Sequence, residues 1–319
     1  DSATSFDPEK SKLSTKKSGN FSYEYLIITI GLQTNWADIK GLSRSLGKKG
    51  VCSNYGFNSL ESTWENIRNL SKGTALFTQP ASPIKGDSAP QEIMYLAEDY
   101  FRRSGQTKQI DVKFSSGMPD IFPVKKYAKK LDIICDNRGI EKTFHRDLVE
   151  VDADNKVAIF KDTDSNELTS IKYDLLHVTP KMATPDVIKK SLLSKEGGWV
   201  DVDDNTMQHN QYDNVFSCGD CSSLPTSKTT AAIRAQVPIM VRNILSARNG
   251  LPIVDYYNGY TSCSIVTGYG RSILAEFDYD LNPRETLPVD QSIERMSTYI
   301  LEKNIMPKLY WHGLLKGRF

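Results

Sequence analysis

The feature that most restricts the fold of this chain is an alternation of strand and helix patterns. The segments follow the order strand, helix, strand, helix, hairpin and strand, over residues 73–78, 89–103, 110–114, 124–135, 148–161 and 173–178. In the first helix pattern, apolar residues recur at helical spacing behind Pro90, which suits a first helical turn. This order predicts an α/β fold with a mainly parallel sheet.

Two further buried strands are predicted outside this region, and each ends at a glycine. One is Tyr23–Gly31, and the other begins at Asn214 and ends at Gly219, directly before Asp220. A helix capped by Thr226 or Ser227 follows. The N-terminus of a helix attracts anionic or electron-rich ligand groups, and the acid beside it can accept hydrogen bonds from sugar hydroxyls, as in dinucleotide sites. An ordinary capped turn explains the same residues, and both interpretations stay open at this point.

That last helix has two internal signals. Gly250 is expected to close it as a left-handed glycine, and Pro238 inside it is expected to bend it, since proline removes one backbone hydrogen bond.

Composition excludes several classes of protein. The 319 residues suggest roughly two domains, and 40 Lys+Arg against 39 Asp+Glu argue against a nucleic-acid binder. No apolar run is long enough to span a membrane. The five cysteines are an odd number, which argues against a secreted disulfide scaffold. The histidines share no ligand spacing and no second Cys-x-x-Cys is present, so no metal site is predicted.

Several short segments are more specific than composition. They are Ser88–Gln91, Leu176–Pro180, Val215–Asp220, Leu224–Thr229, Gly259–Cys263 and Ile273–Tyr279. Together with the first strand they resemble the mitochondrial-type sulfide:quinone oxidoreductases, from about Phe6 to the end of the chain.

The resemblance implies two Rossmann-like domains of the FAD/NAD(P)-binding type, the first incomplete, and a C-terminal region that faces quinone and membrane. The implied divisions are the end of the FAD domain, the second Rossmann-like domain, the return to the FAD domain, and the quinone-facing region, at residues 1–45, 46–180, 181–250 and 251–319.

The resemblance also implies FAD as the cofactor. Gly31, Gly219, Asp220 and Lys228 are the implied binding residues, and a lysine beside the flavin would stabilise the anionic reduced ring. The glycine-rich turn for the FAD pyrophosphate is expected upstream of Asp1, so the chain resembles an N-terminally truncated member of the family. Residues 79–86 lack a nucleotide fingerprint, so the electron donor is not expected to be NAD(P)H.

The redox cysteines implied by the resemblance are incomplete. Cys263 matches one of the pair that receives sulfide sulfur, but the position of its partner holds Gly86. Three interpretations follow: loss of sulfide oxidation, another cysteine in the role, or a sequence variation at this position. Cys218 and Cys221 have redox-like spacing, but two small buried residues are the preferred interpretation.

The partners implied are sulfide, ubiquinone, and a small thiol or sulfite as sulfur acceptor. Residues 293–301 form an apolar helical face, and residues 306–316 mix large apolar side chains with lysines, which is typical of an interfacial segment. Phe277, Tyr279, Tyr310 and Trp311 are candidates for the quinone pocket. By resemblance alone, the protein is expected to be mitochondrial and peripheral to the inner membrane.

Overall fold

A computed structural model of the chain describes residues 1–318. The strands are β1 (Ala3–Asp7), β2 (Lys12–Thr15), β3 (Gly19–Ser22), β4 (Leu26–Ile28), β5 (Gln33–Asn35), β6 (Val51–Cys52), β7 (Gly73–Gln79), β8 (Ile110–Ser116), β9 (Glu141–Thr143), β10 (Arg146–Asp152), β11 (Val157–Asp162), β12 (Leu168–Lys172), β13 (Leu175–His177), β14 (Lys181–Ala183), β15 (Val215–Ser217), β16 (Thr261–Gly268) and β17 (Arg271–Phe277). The α-helices are α1 (Leu42–Ser45), α2 (Leu60–Asn69), α3 (Ala89–Arg103), α4 (Lys125–Asn137), α5 (Asp186–Lys189), α6 (Thr230–Arg248), α7 (Met296–Ile300) and α8 (Met306–His312).

The central sheet is five-stranded and parallel, in the order β6-β13-β7-β8-β9. Its strands are buried because helices cover the sheet, and the apolar runs of β7 and β8 supply that core. The prediction of an α/β fold with a parallel sheet is confirmed. Helix α3 begins and ends at the predicted residues, Ala89 and Arg103.

Two antiparallel units flank this sheet. Strands β10 and β11 form the predicted hairpin, and β12 extends it. Strands β16 and β17 pair along their length and pack their apolar face, with Ile265 and Ile273, into the same core as α3. This packing places Cys263 of β16 close to the first turn of α3.

A second parallel pairing joins the beginning of the chain to residues 215–217. Val215 is opposite Leu26 and Ser217 is opposite Ile28, whose carbonyl oxygen accepts a hydrogen bond of 2.8 Å from the Ser217 hydroxyl. The predicted strand Tyr23–Gly31 is therefore wrong in extent, since only Leu26–Ile28 pairs. Gly31 has φ +68°, which takes the chain out of the extended conformation.

Helix α6 begins later than predicted. Its N-cap is Thr229, whose hydroxyl accepts a hydrogen bond of 3.0 Å from the Ala232 N–H, and not Thr226 or Ser227. Ser227 instead donates its hydroxyl hydrogen to Asp87. The helix runs through Pro238, and Gly250 follows its end with φ +66°, as expected for a closing glycine.

Within residues 1–318, no helix combines the length and the apolar character needed to cross a membrane.

Candidate redox site

The turn after β7 meets the segment that leads into α6. The Gly86 N–H donates a hydrogen bond of 3.1 Å to the Lys228 carbonyl oxygen, and Lys85 and Lys228 form a short parallel bridge. The position that lacks the second cysteine therefore lies directly beside Lys228.

Gly86 has a backbone conformation that other residues rarely adopt. Its φ is +69°, in the left-handed region, which costs a residue with a Cβ about 1–2 kcal/mol. Space is not the constraint, because a Cβ built there would meet only the Cβ of Ala89, at 3.7 Å. The site has room for a larger side chain, but the turn favours glycine.

Cys263 lies in β16 and is 4% exposed. Burial raises the pKa of its thiol well above the usual range, and the carboxylates of Asp87 and Glu92 raise it further. The Ser227 hydroxyl acts in the opposite direction on this pKa, and it also donates its hydrogen to Asp87. Cys263 is therefore a protonated thiol at neutral pH.

Lys228 and Asp220 form an opposite-charge pair in a partly buried setting. Burial lowers the pKa of Lys228 to about 8, although Asp220 opposes this shift. Burial raises the pKa of Asp220, although Lys228 and Lys85 oppose that shift. The Lys228 ammonium donates to the carbonyl oxygens of Ser222 and Leu224, at 2.8 and 3.0 Å.

The two glycines predicted to bind the cofactor, Gly31 and Gly219, differ in how accessible their backbone is to a ligand. A Cβ at Gly31 would meet nothing within 4 Å, so its backbone is accessible to a ligand. Gly219, with φ +73°, donates its N–H to the Gln236 side chain at 2.8 Å, so this donor is already used.

One cavity of about 1090 Å³ brings most of the predicted residues together. Gly86, Asp220, Lys228 and Cys263 line it, whereas Gly31 and Gly219 do not. The C-terminal segment supplies an apolar wall of Leu301, Met306, Leu309, Tyr310 and Leu314. A smaller cavity of about 420 Å³ shares Lys228 and is also lined by Asp87, Ser227 and Phe277.

The four aromatic residues predicted for the quinone pocket do not line one common cavity, although the rings of Tyr310 and Trp311 are in edge-to-face contact with centroids 5.4 Å apart. Only Tyr310 lines the large cavity, and Phe277 is buried beside the smaller one. Tyr279 packs on Tyr257 and donates its hydroxyl hydrogen to the Asp204 carbonyl at 2.7 Å. Trp311 is 63% exposed.

Three glutamates line the large cavity, Glu92, Glu276 and Glu302, and none of them was predicted as a site residue from the sequence. Glu92, in the first turn of α3, accepts a hydrogen bond of 2.6 Å from the Ser88 hydroxyl. Burial raises its pKa to about 7. Glu302 lines the cavity from the segment between α7 and α8. A first-turn acid ordinarily reads as a solvated helix residue, so no sequence signal marked Glu92.

The other four cysteines and His177 are buried in the packed interior, and none of them lines the large cavity of the candidate site. Cys52, Cys135, Cys218 and Cys221 are buried free thiols. His177 is fully buried, accepts a hydrogen bond of 3.0 Å from the Asn54 N–H, and has its pKa lowered to about 3 by burial. Within residues 1–318, no group of His, Cys, Asp and Glu is arranged to hold a metal ion.

The parallel sheet and the second parallel pairing place the chain in the class of proteins with the FAD/NAD(P)-binding type of α/β fold. No family model matches the chain. A mitochondrial sulfide:quinone oxidoreductase of Dictyostelium discoideum is 45% identical over 321 residues, covering 100% of this chain and 71% of the relative. One of Mus musculus is 44% identical over 319 residues, covering 99% and 71%. The crystal structure of the Aquifex aeolicus sulfide:quinone oxidoreductase aligns with a TM-score of 0.77 at 15% identity, over 97% of this chain and 73% of that one.

The chain therefore belongs to the mitochondrial sulfide:quinone oxidoreductase family. This confirms the resemblance, and with it an oxidoreductase class, FAD as the cofactor and a mitochondrial location.

Proposed function

We propose that this chain carries the redox site of an FAD-dependent sulfide:quinone oxidoreductase. Electrons from sulfide reach ubiquinone, and the quinone half of the reaction is intact while the sulfide half is limited by Gly86. One observation carries this proposal: a single cavity joins Cys263 and the Gly86 turn to an apolar C-terminal wall suited to a quinone.

The residues of the cavity fit a flavin. Lys228 provides a cation whose neighbours include Asp220, and both residues line the cavity. Gly31 lies outside the cavity lining, and its open backbone would allow another part of the ligand to approach closely. When bound, FAD accepts an electron pair from the sulfur site and passes it to quinone. Lys228 would hold the electron-rich edge of the ring, and Asp220 would accept hydrogen bonds from hydroxyl groups.

The sulfide half needs two sulfur atoms within bonding distance. Sulfide attacks one sulfur of a cysteine pair, that cysteine retains the persulfide, and the other leaves as a thiolate. A small thiol or sulfite then removes the persulfide sulfur. Gly86 provides no sulfur, and Cys263 is buried as a thiol, so this half-reaction is expected to be slow.

The same observations favour a second candidate. A family member that has lost sulfide oxidation would act as a regulatory protein, or as a flavin-dependent quinone reductase with another donor. The left-handed Gly86 turn supports this candidate, because its backbone suits glycine better than cysteine.

Exposed apolar side chains support contact with a membrane. Met296, Ile300, Leu309, Trp311 and Leu315 are exposed on the C-terminal segment. Lipid would cover them and would also deliver ubiquinone, so we propose peripheral contact with the mitochondrial inner membrane.

The test separates the two half-reactions in the full-length protein loaded with FAD. The flavin is reduced with dithionite and mixed with ubiquinone, and in a second experiment oxidised protein is mixed with sulfide. We expect rapid flavin oxidation by ubiquinone and slow reduction by sulfide. Failure of ubiquinone to oxidise the flavin would refute the quinone site, and rapid reduction by sulfide would refute the limit at Gly86. A panel of other reductants tests the alternative donor.

A further inference from the structure

Four carboxylates line the large cavity, those of Glu92, Asp220, Glu276 and Glu302, and Glu92 and Glu302 reach it from different elements. Glu92 projects from the first turn of α3 and is held by the Ser88 hydroxyl. Glu302 lies between α7 and α8 at an exposed position. One acid is therefore inside the cavity, and the other lies where the cavity meets solvent.

Neither Glu92 nor Glu302 forms an ion pair in the described part of the chain. Among residues 1–318, no lysine, arginine or histidine nitrogen lies within 4.0 Å of Glu92 or Glu302. A buried carboxylate without a cation is costly unless it binds a proton.

The groups that face Glu92 come from several elements. Cys263 faces it from β16, Tyr55 from the loop after β6, and Glu302 from the C-terminal segment. The cationic residues that line the same cavity are Lys85, Lys228 and Arg234. Burial is the main cause of the raised pKa of Glu92, and the negative charge of Glu302 raises it further.

We propose that Glu92 and Glu302 form a proton relay, in which Glu92 stores a proton inside the cavity and Glu302 exchanges it with solvent. The relay rests on the proposed function, because a quinone that accepts two electrons also takes up two protons to become a quinol. Glu92 donates one proton to the quinone, Glu302 returns a proton from water to the Glu92 carboxylate, and a second cycle of the same transfer supplies the second proton. The electrons come from the reduced cofactor.

The first test needs no turnover. The infrared absorption of protonated carboxyl groups is followed against pH in the full-length protein without substrates. The Glu92 band is expected to titrate near pH 7, and Glu92→Gln should remove it. Glu302→Gln should move the midpoint to lower pH, because it removes a negative neighbour. Ser88→Ala should move the midpoint to higher pH, because the Ser88 hydrogen bond favours the charged form.

The matched control is Glu61→Gln, which changes an exposed glutamate of α2 and should leave the band unchanged. An unchanged midpoint in Glu302→Gln would overturn the coupling of the two carboxylates. Because Glu302 is exposed, its substitution is not expected to disturb folding.

The second test follows dithionite-reduced protein as ubiquinone oxidises it at several pH values. Glu302→Gln should slow this step by about tenfold or more, and Glu302→Asp should restore most of the rate. A rate and pH profile unaffected by Glu302→Gln would overturn the relay. If ubiquinone does not oxidise even the unmodified protein, the proposed function fails, whereas the infrared titration still decides whether the two carboxylates are coupled.

Discussion

At the scale of single residues, the candidate redox site has one cysteine, Cys263, with the carboxylates of Asp87 and Glu92 nearby, whereas the family resemblance implies a pair of cysteines. Asp87 follows Gly86 directly, and its carboxylate is hydrogen-bonded by Ser227 while it raises the pKa of Cys263. The residue that follows Gly86 therefore also disfavours the thiolate form of Cys263.

Asp87→Asn tests this suppression. Removing the negative charge should lower the pKa of Cys263 and increase its alkylation by iodoacetamide several-fold at pH 8, since only the thiolate reacts. Burial remains the main cause of the raised pKa, so the reaction should stay slower than that of an exposed thiol.

Peptide mass spectrometry would assign the adduct to Cys263. Asp111→Asn changes an exposed aspartate of β8 and is the matched control. Equal alkylation of Cys263 in the two variants would contradict the assigned role of Asp87.

The sequence identified Cys263, Gly86, Asp220 and Lys228, and the structure places all four on one cavity. It did not identify Glu92, because the significance of a first-turn glutamate depends on what covers it. The cover comes from β16 and the C-terminal segment, which are distant in sequence.

At the scale of elements, helix α6 positions the lysine of the site. Thr229 caps this helix and its hydroxyl also lies 2.8 Å from that of Thr261 in β16. The cap therefore ties the beginning of α6 to the strand that carries Cys263.

Thr229→Ala should lower the free energy of unfolding by about 1 kcal/mol, because it removes the N-cap hydrogen bond. Thr229→Ser should preserve it, and Thr230→Ala, at an exposed position in the first turn, is the matched control. Urea denaturation measures all three. No difference between Thr229→Ala and Thr230→Ala would show that the cap is unimportant.

Helices and the parallel sheet were predictable because their apolar periodicity is local. The cap of α6 was not, because Thr226, Ser227 and Thr229 can all serve as N-caps. Ser227 does not cap the helix because its hydroxyl donates its hydrogen to Asp87, which lies in a turn distant in sequence. The three-stranded sheet β1–β3 was missed as well, because its strands are polar and exposed.

At the scale of the whole molecule, we propose two roles for the C-terminal segment, residues 296–316. It closes the apolar end of the large cavity, and it presents exposed apolar side chains that lipid would cover.

A pair of leucine substitutions tests the membrane contact. Leu315, in the C-terminal segment, is 54% exposed, and Leu168, in β12, is 68% exposed. Leu315→Ala should reduce co-sedimentation with vesicles of phosphatidylcholine and an anionic phospholipid, because less apolar surface enters the interface. Leu168→Ala should not. Equal binding by both variants would contradict the assignment of the lipid-facing surface.

We propose that the glycine at position 86 limits the family's sulfide reaction in this chain. Sulfide-dependent reduction of ubiquinone by the full-length FAD-loaded protein tests it most directly, with Gly86→Cys compared against Gly86→Ala to separate the added sulfur from backbone strain. We predict that Gly86→Cys increases the rate by about tenfold or more, equivalent to about 1.4 kcal/mol of activation free energy, and that adding Cys263→Ser abolishes the gain. A protein with Gly86 that turns over as fast as the Gly86→Cys variant, and that is unaffected by Cys263→Ser, would contradict the claim.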